Sequence, residues 1–168
     1  MPVESPQAAV AMITAVCAEL GERALICSGV WDIPDGPGPA RHVRIVRSVN
    51  HATVFPQCRA VVHHGGAGTT SAGLRAGVPA LILWIGAEQP LWAKQIDALG
   101  VGTYQRFSEA TTDSIRAGLR TVLEQQYARR ARDIAARMTT PESACCAVAD
   151  LLEAAAHRGR TPVRRSGR

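Results

Sequence analysis

The chain has 168 residues, 46% of them hydrophobic, so it is long enough for one domain with a substantial core. Its formal net charge is +5, but the last eleven residues hold five arginines and no acidic residue. Without these arginines 14 basic residues balance 14 acidic ones, which argues against a nucleic-acid-binding body. We therefore interpret residues 157–168 as a basic, disordered tail and residues 1–156 as the folded domain.

The composition also predicts a location inside the cell. Five cysteines without a C-x-x-C spacing fit reduced thiols better than a disulfide framework. The first residues, Met1 to Glu4, lack the pattern of a signal peptide, and the longest apolar run, Val78 to Ile85, is too short to cross a bilayer. We expect a cytoplasmic protein.

Apolar runs alternate with helical patterns along the chain. A helix begins at Ser5-Pro6, a cap followed by a first-turn proline, and ends at Gly21. The predicted strands are residues 24–27, 42–46, 60–63, 80–84 and 102–105. The other predicted elements are a loop at 31–39, a helical turn at 50–55 and helices at 71–76, 89–99, 112–125, 127–138 and 142–156. This alternation predicts a doubly wound (Rossmann-like) α/β fold, a parallel sheet with helices on both faces and a helical C-terminus.

The segment from His63 to Thr70, His-His-Gly-Gly-Ala-Gly-Thr-Thr, stands where a predicted strand turns into a helix. Small residues and hydroxyls at such a turn leave the first N–H groups of the helix unpaired. Those donors and the positive end of the helix dipole attract an anion. The segment therefore predicts a phosphate site.

Other interpretations of the same segment fit less well. A dinucleotide fingerprint needs a third glycine where Ser71 stands, and a Walker P-loop needs a lysine that is absent. A serine-hydrolase elbow lacks its first glycine at Thr69. Neighbouring residues on a strand point to opposite faces, so His63 and His64 do not readily share one metal ion. We expect His63 to orient backbone or pack under the sheet, and His64 to be functional.

Several ordered blocks together resemble one family. They are Phe55 to Thr70, Leu74 to Pro79, Glu88 to Trp92 and Leu99 to Gly102. These blocks resemble the C-terminal, donor-binding half of GT-B glycosyltransferases. The nearest group is the bacterial UDP-glycosyltransferases that act on sterols, glycolipids, macrolides and glycopeptides. The resemblance covers about residues 1–155.

The resemblance implies a role for single residues. By this resemblance, the diphosphate of the nucleotide-sugar donor would be bound by His64, Gly66, Gly68 and Thr69. Glu88 and Gln89 match an acidic-Gln pair that holds the donor sugar, although the usual bacterial form has Asp in place of Glu88. Val49 matches the region whose backbone meets the nucleotide base. No catalytic residue and no metal site are expected in this chain, and the donor substrate would be a UDP- or dTDP-sugar.

The resemblance also implies what lies elsewhere. The family's catalytic base belongs to an N-terminal acceptor domain, which we expect as a partner in cis upstream or in trans. Met1-Pro2 matches a segment just after the family's first strand, so we expect a truncated chain that lacks the first, central strand of its sheet. We therefore expect the chain alone to be inactive.

Two functions remain open. One is the donor-binding half of a hexosyltransferase for a lipophilic acceptor such as a sterol, glycolipid or polyketide, with peripheral membrane association for lipid acceptors. The other is a non-catalytic donor-binding subunit, or an inactive fragment, that needs a separate acceptor-binding partner chain.

Overall fold

The computed structural model describes residues 5–158, and the predicted tail lies outside them except for its first two residues. The chain divides into two compact units, residues 1–136 and residues 137–168. The second unit contributes one long helix, Pro141–Arg158. None of the helices in residues 5–158 is both long and apolar enough to cross a membrane.

The first helix forms as its capping residues predict. In α1 (Pro6–Leu20) the hydroxyl of Ser5 accepts the N–H of Ala8 at 3.1 Å, and Pro6 occupies the first turn. Gly21 ends the helix with a left-handed backbone, φ +68°. Val16 and Cys17 are its buried residues, so α1 packs against the body of the domain through one side.

Within residues 5–158, six strands form two three-stranded sheets. The strands are β1 (Ala24–Cys27), β2 (Gly36–Pro37), β3 (Val43–Val46), β4 (Val61–His63), β5 (Ala80–Trp84) and β6 (Gly102–Arg106). One sheet has the order β1-β3-β2 and the other has the order β4-β5-β6. Every pairing is parallel except that of β2, which runs antiparallel to β3. The strand β2 lies in the segment 31–39, which was predicted as a loop. A strand of only two residues among glycines and prolines is too short to show the alternating hydrophobic pattern of a strand.

The expected gap in the sheet is present. Among the described strands β1 pairs only with β3 and β4 pairs only with β5, so both present a free edge. A strand between them would join the two sheets into one doubly wound sheet. The fold is therefore the α/β fold predicted from the sequence, interrupted at its centre.

The remaining helices of the first unit follow the predicted order. They are α2 (His51–Val54), α3 (Ala67–Ala76), α4 (Gln89–Ala98), α5 (Thr112–Val122) and α6 (Gln125–Ala135), and the helix of the second unit is α7. The prediction that the third helix begins at Ser71 is wrong, because α3 begins at Ala67. Gly68, Thr69 and Thr70 are thus inside the first turn of the helix and not before it, whereas Gly65 and Gly66 precede it.

The core has one layer of apolar side chains on each face of the β4-β5-β6 sheet. Leu81 and Ile82, adjacent on β5, are 1% and 0% exposed and point to opposite faces. On one face Leu81 packs with Val16 of α1 and Ile115 of α5. On the other, Ile82 belongs to a cluster that includes Ile96 of α4 and Ala131 of α6. Complete burial of such a side chain contributes about 1.5–3 kcal/mol, so these layers fix the sheet that carries the site.

Candidate functional site

The turn between β4 and α3 is fixed by two glycines. Gly65 has a left-handed backbone, φ +89°, and a Cβ there would lie 2.8 Å from Cγ2 of Ile82. Gly66 is the N-cap of α3 and has no side chain to accept a hydrogen bond from the helix. The first N–H groups of α3, those of Ala67, Gly68 and Thr69, therefore have no side-chain cap. The turn presents free donors at the positive end of a helix.

The two histidines at the end of β4 have different surroundings. Nδ1 of His63 accepts the N–H of Gly65 at 3.0 Å, so the ring orients the turn, as predicted. Burial, with smaller contributions from His64 and His51, lowers the pKa of His63 from 6.5 to about 4. The ring is therefore neutral at pH 7 with its proton on Nε2, which has no partner among the described residues.

His64 is exposed and lies over the glycine turn. A Cβ on Gly66 would be 2.6 Å from Nε2 of His64, so a glycine is required for this placement of the ring. The imidazole stands beside the free end of α3. Sequence and structure thus agree in separating a structural His63 from an accessible His64.

Gly68 and Thr69 line the first turn of α3. Gly68 is exposed, and a Cβ built there would meet nothing within 4 Å. The protein itself therefore gives no steric reason for a glycine at this position. Thr69 is partly exposed, whereas the next residue, Thr70, is 3% exposed and its hydroxyl has no partner among the described residues.

The turn between β5 and α4 lies beside this site, because β4 and β5 are parallel neighbours with His63 opposite Ile82. The Gln89 backbone packs on Gly65, where a Cβ would be 3.4 Å from its carbonyl oxygen. Oε1 of Gln89 accepts the N–H groups of Ile85 at 2.8 Å and Gly86 at 3.2 Å. The amide oxygen of Gln89 is thus engaged in the turn, and only its NH₂ group is available to a ligand.

Glu88 is exposed at the N-cap of α4, and its side chain makes no capping hydrogen bond. Ala87 before it has a left-handed backbone, φ 54°, and is the only described non-glycine residue with positive φ. This backbone sharpens the turn that carries Glu88 and Gln89. No local sequence pattern predicts it, because alanine rarely adopts this conformation.

A cavity of about 1290 Å³ reaches the site. Val49, His64 and Thr69 all line it, so three of the residues predicted to bind the donor share one space. Gly66, Gly68, Glu88 and Gln89 do not line it. The cavity also extends between β1 and β4, where the family resemblance implied a missing strand.

The described residues contain no cluster of side chains that could bind a metal ion. Within residues 5–158 no three His, Cys, Asp or Glu side chains come close enough to hold an ion. The donors at the turn are N–H groups, an imidazole and a hydroxyl, a set suited to an anion.

Comparison with known proteins identifies the family. Residues 10–155 match the family described as erythromycin biosynthesis protein CIII-like, C-terminal domain. The chain belongs to this family. It is the C-terminal half of a GT-B glycosyltransferase, in agreement with the resemblance found in the sequence.

Relatives of this CIII-like domain are longer proteins. The chain is 61% identical over 160 residues to an uncharacterized glycosyltransferase of Mycobacterium tuberculosis, covering 95% of this chain and 38% of that protein. It is 35% identical over 127 residues to the vancomycin aglycone glucosyltransferase of Amycolatopsis orientalis, covering 76% of this chain and 31% of that protein. The chain thus spans less than two fifths of the length of these relatives.

A solved structure supports the fold of the CIII-like domain. The glycosyltransferase VinC, crystallised in complex with DTDP, matches with a TM-score of 0.62 and 26% identity. The match covers 74% of this chain and 32% of VinC.

Proposed function

We propose that this chain binds the nucleotide-diphospho-sugar donor of a glycosyltransferase at the β4–α3 turn. The observation that carries the proposal is the uncapped first turn of α3, with open space in front of Gly68 and an exposed His64 beside it. A diphosphate supplies negative oxygens for N–H groups that the protein leaves without acceptors.

The same groups would act in the reaction. Negative charge develops on the diphosphate as its bond to the sugar breaks. The N–H groups of α3, the hydroxyl of Thr69 and the imidazole of His64 would stabilise that charge where it forms. In this proposal they do so without a metal ion, and EDTA leaves donor binding unchanged.

The turn between β5 and α4 would bind the sugar. The carboxylate of Glu88 accepts hydrogen bonds from hydroxyl groups, and the free NH₂ of Gln89 donates one. Val49, which lines the same cavity as His64 and Thr69, would meet the base. The DTDP in VinC and the glucose in the name of the Amycolatopsis enzyme support a UDP- or dTDP-hexose as donor.

The acceptor would be bound by a separate N-terminal domain, which also supplies the catalytic base. The relatives, more than twice as long as this chain, have room for such a domain. We propose a lipophilic acceptor, in the cytoplasm or at a membrane surface. The alternative is a non-catalytic donor-binding subunit whose partner is a separate chain, or a fragment that is inactive alone. In either case the chain by itself transfers no sugar.

Isothermal titration of the chain with UDP-glucose and dTDP-glucose tests the proposal. We expect binding of at least one donor and a loss of roughly tenfold or more in affinity for His64→Ala and Thr69→Ala, because each removes a hydrogen bond to a charged group. His157→Ala and Thr121→Ala are matched controls, since these residues bond only to carbonyl oxygens of their own helices. Equal affinity in all four variants would reject the assignment of the site.

A further inference from the structure

The cavity beside the α3 turn is also lined by a histidine that has no role in the proposed site. His51, the first residue of α2, shares this cavity with Val49, His64 and Thr69. We place the nucleotide base at Val49 and the diphosphate at His64 and Thr69. The position of His51 relative to these two ends of the nucleotide therefore decides which part of the ligand it can contact.

His51 lies close to the strand end that carries the turn. Burial and then the charges of His64 and His51 lower the pKa of His63, and the effect of a charge falls off with distance. The helix α2 also packs against α3. In the chain His51 is two residues after Val49, a span of at most about 7 Å. The imidazole thus stands between the residue assigned to the base and the helix assigned to the diphosphate.

The ring of His51 is held by packing and not by hydrogen bonds. It stacks on Phe55, with the ring centroids 4.5 Å apart and an angle of 19° between the planes. Phe55 is 8% exposed and belongs to the core, so it is a firm support for the ring. The described residues make hydrogen bonds with the rings of His42, His63 and His157 but none with that of His51. Both ring nitrogens of the half-buried His51 are therefore available to a ligand.

Two neighbouring polar side chains are engaged elsewhere. Oδ1 of Asn50 accepts the N–H of Ala52 at 3.0 Å, and Asn50 does not line the cavity. Nδ1 of His63 accepts the N–H of Gly65, and its Nε2 is buried. The side chain of His51 consequently supplies the available polar group on this part of the cavity wall.

The part of a nucleotide between its base and its diphosphate is the pentose. A neutral imidazole has one N–H donor and one nitrogen acceptor, a pair that matches the two neighbouring hydroxyl groups of ribose. The deoxyribose of dTDP offers only one of them. We infer that His51 binds the 2′- and 3′-hydroxyl groups of ribose and makes the chain select a UDP-sugar over a dTDP-sugar. The inference rests on the proposed donor site and names the nucleotide that this site takes.

Isothermal titration with UDP, dUDP and dTDP tests the inference, because UDP and dUDP differ only in the 2′-hydroxyl group. None of the three carries the sugar to be transferred. We expect UDP to bind roughly fivefold or more tightly than dUDP and dTDP. His51→Phe keeps a ring against Phe55 but has no polar atom, so it should bind UDP no better than dUDP. His157→Phe, on the exposed surface of α7, is the matched control and should keep the preference.

Equal affinity of the wild type for UDP and dUDP, or a preference for dTDP, would overturn the inference. A His51→Phe protein that keeps the preference for UDP would show that another group reads the hydroxyl. One that binds UDP and dUDP more weakly by the same factor would show that His51 acts through packing alone. Either result would also overturn the inference. If circular dichroism shows that His51→Phe is unfolded, His51→Leu replaces it with the same expected result.

The same titrations separate this inference from the proposed donor site. His64→Ala should weaken the binding of UDP and dUDP alike, because both carry the diphosphate. Binding of the nucleotides without a preference for UDP would reject the role of His51 and leave the donor site standing. No binding of any of the three nucleotides would reject the donor site and the inference with it.

Discussion

Gly65 and Gly68 lie three residues apart, but their surroundings differ, so replacement by alanine should affect stability differently at the two positions. Gly65 has φ +89° and contacts Ile82, so Gly65→Ala should lower the free energy of unfolding by about 1–3 kcal/mol. A Cβ added at Gly68 would contact no atom within 4 Å. Gly68→Ala should therefore leave the free energy of unfolding unchanged or raise it by about 0.5–1 kcal/mol, since alanine favours the helix. Urea denaturation separates the two effects.

Donor titration of the Gly68→Ala variant completes this test. The added methyl group would stand where we place the diphosphate, so affinity should fall although stability does not. Unchanged donor affinity in a stable Gly68→Ala protein would contradict the placement of the phosphates.

His63 should make stability depend on pH. Its pKa is lowered to about 4 in the folded chain and is about 6.5 when unfolded, so the unfolded state binds the proton more readily. The contribution of His63 is therefore fully present above pH 6.5 and is lost as pH falls towards 4, to a total on the order of 3 kcal/mol.

The variant His63→Asn isolates this contribution, since the Asn oxygen also accepts the N–H of Gly65. We expect its urea midpoint to change less between pH 7 and pH 5 than that of the wild type. His157→Asn, on the exposed surface of α7, should keep the full wild-type change. A His63→Asn protein with the wild-type pH dependence would show that another group is responsible.

At the scale of elements, the turn between β5 and α4 depends on Gln89. Its Oε1 accepts two N–H groups, so Gln89→Leu should destabilise the chain by about 1 kcal/mol. Gln89→Glu keeps an acceptor for both and should be nearly as stable as the wild type, yet it loses the NH₂ that we assign to the sugar. Thermal unfolding and donor titration of both variants check this. A Gln89→Glu protein with full donor affinity would remove Gln89 from the sugar site.

At the scale of the whole molecule, the free edges of β1 and β4 and the proposed donor site share one cavity, because Val49, His64 and Thr69 line it together with both strands. In doubly wound sheets ligands bind where neighbouring crossovers leave in opposite directions.

Sequence by itself determined much of this protein. Local signals predicted five strands within a few residues, the caps at Ser5 and Gly21, and the strand-to-helix turn at the glycine motif. These features depend on neighbours in the chain, through hydrophobic period, capping and backbone freedom. The ordered motifs also identified the family, which the match over residues 10–155 confirms.

Only the tertiary structure decided the rest. The start of α3 at Ala67, the left-handed Ala87 and the edge pairing of β2 depend on packing against distant residues, so no local pattern predicts them. The same holds for the lowered pKa of His63, whose first cause is burial. The family resemblance indicated that a strand was missing, but only the pairing of β1 with β3 and of β4 with β5 shows which strand edges are free. Hydrogen-bonding directions across a sheet are set by which strands lie side by side, and that is a property of the folded chain.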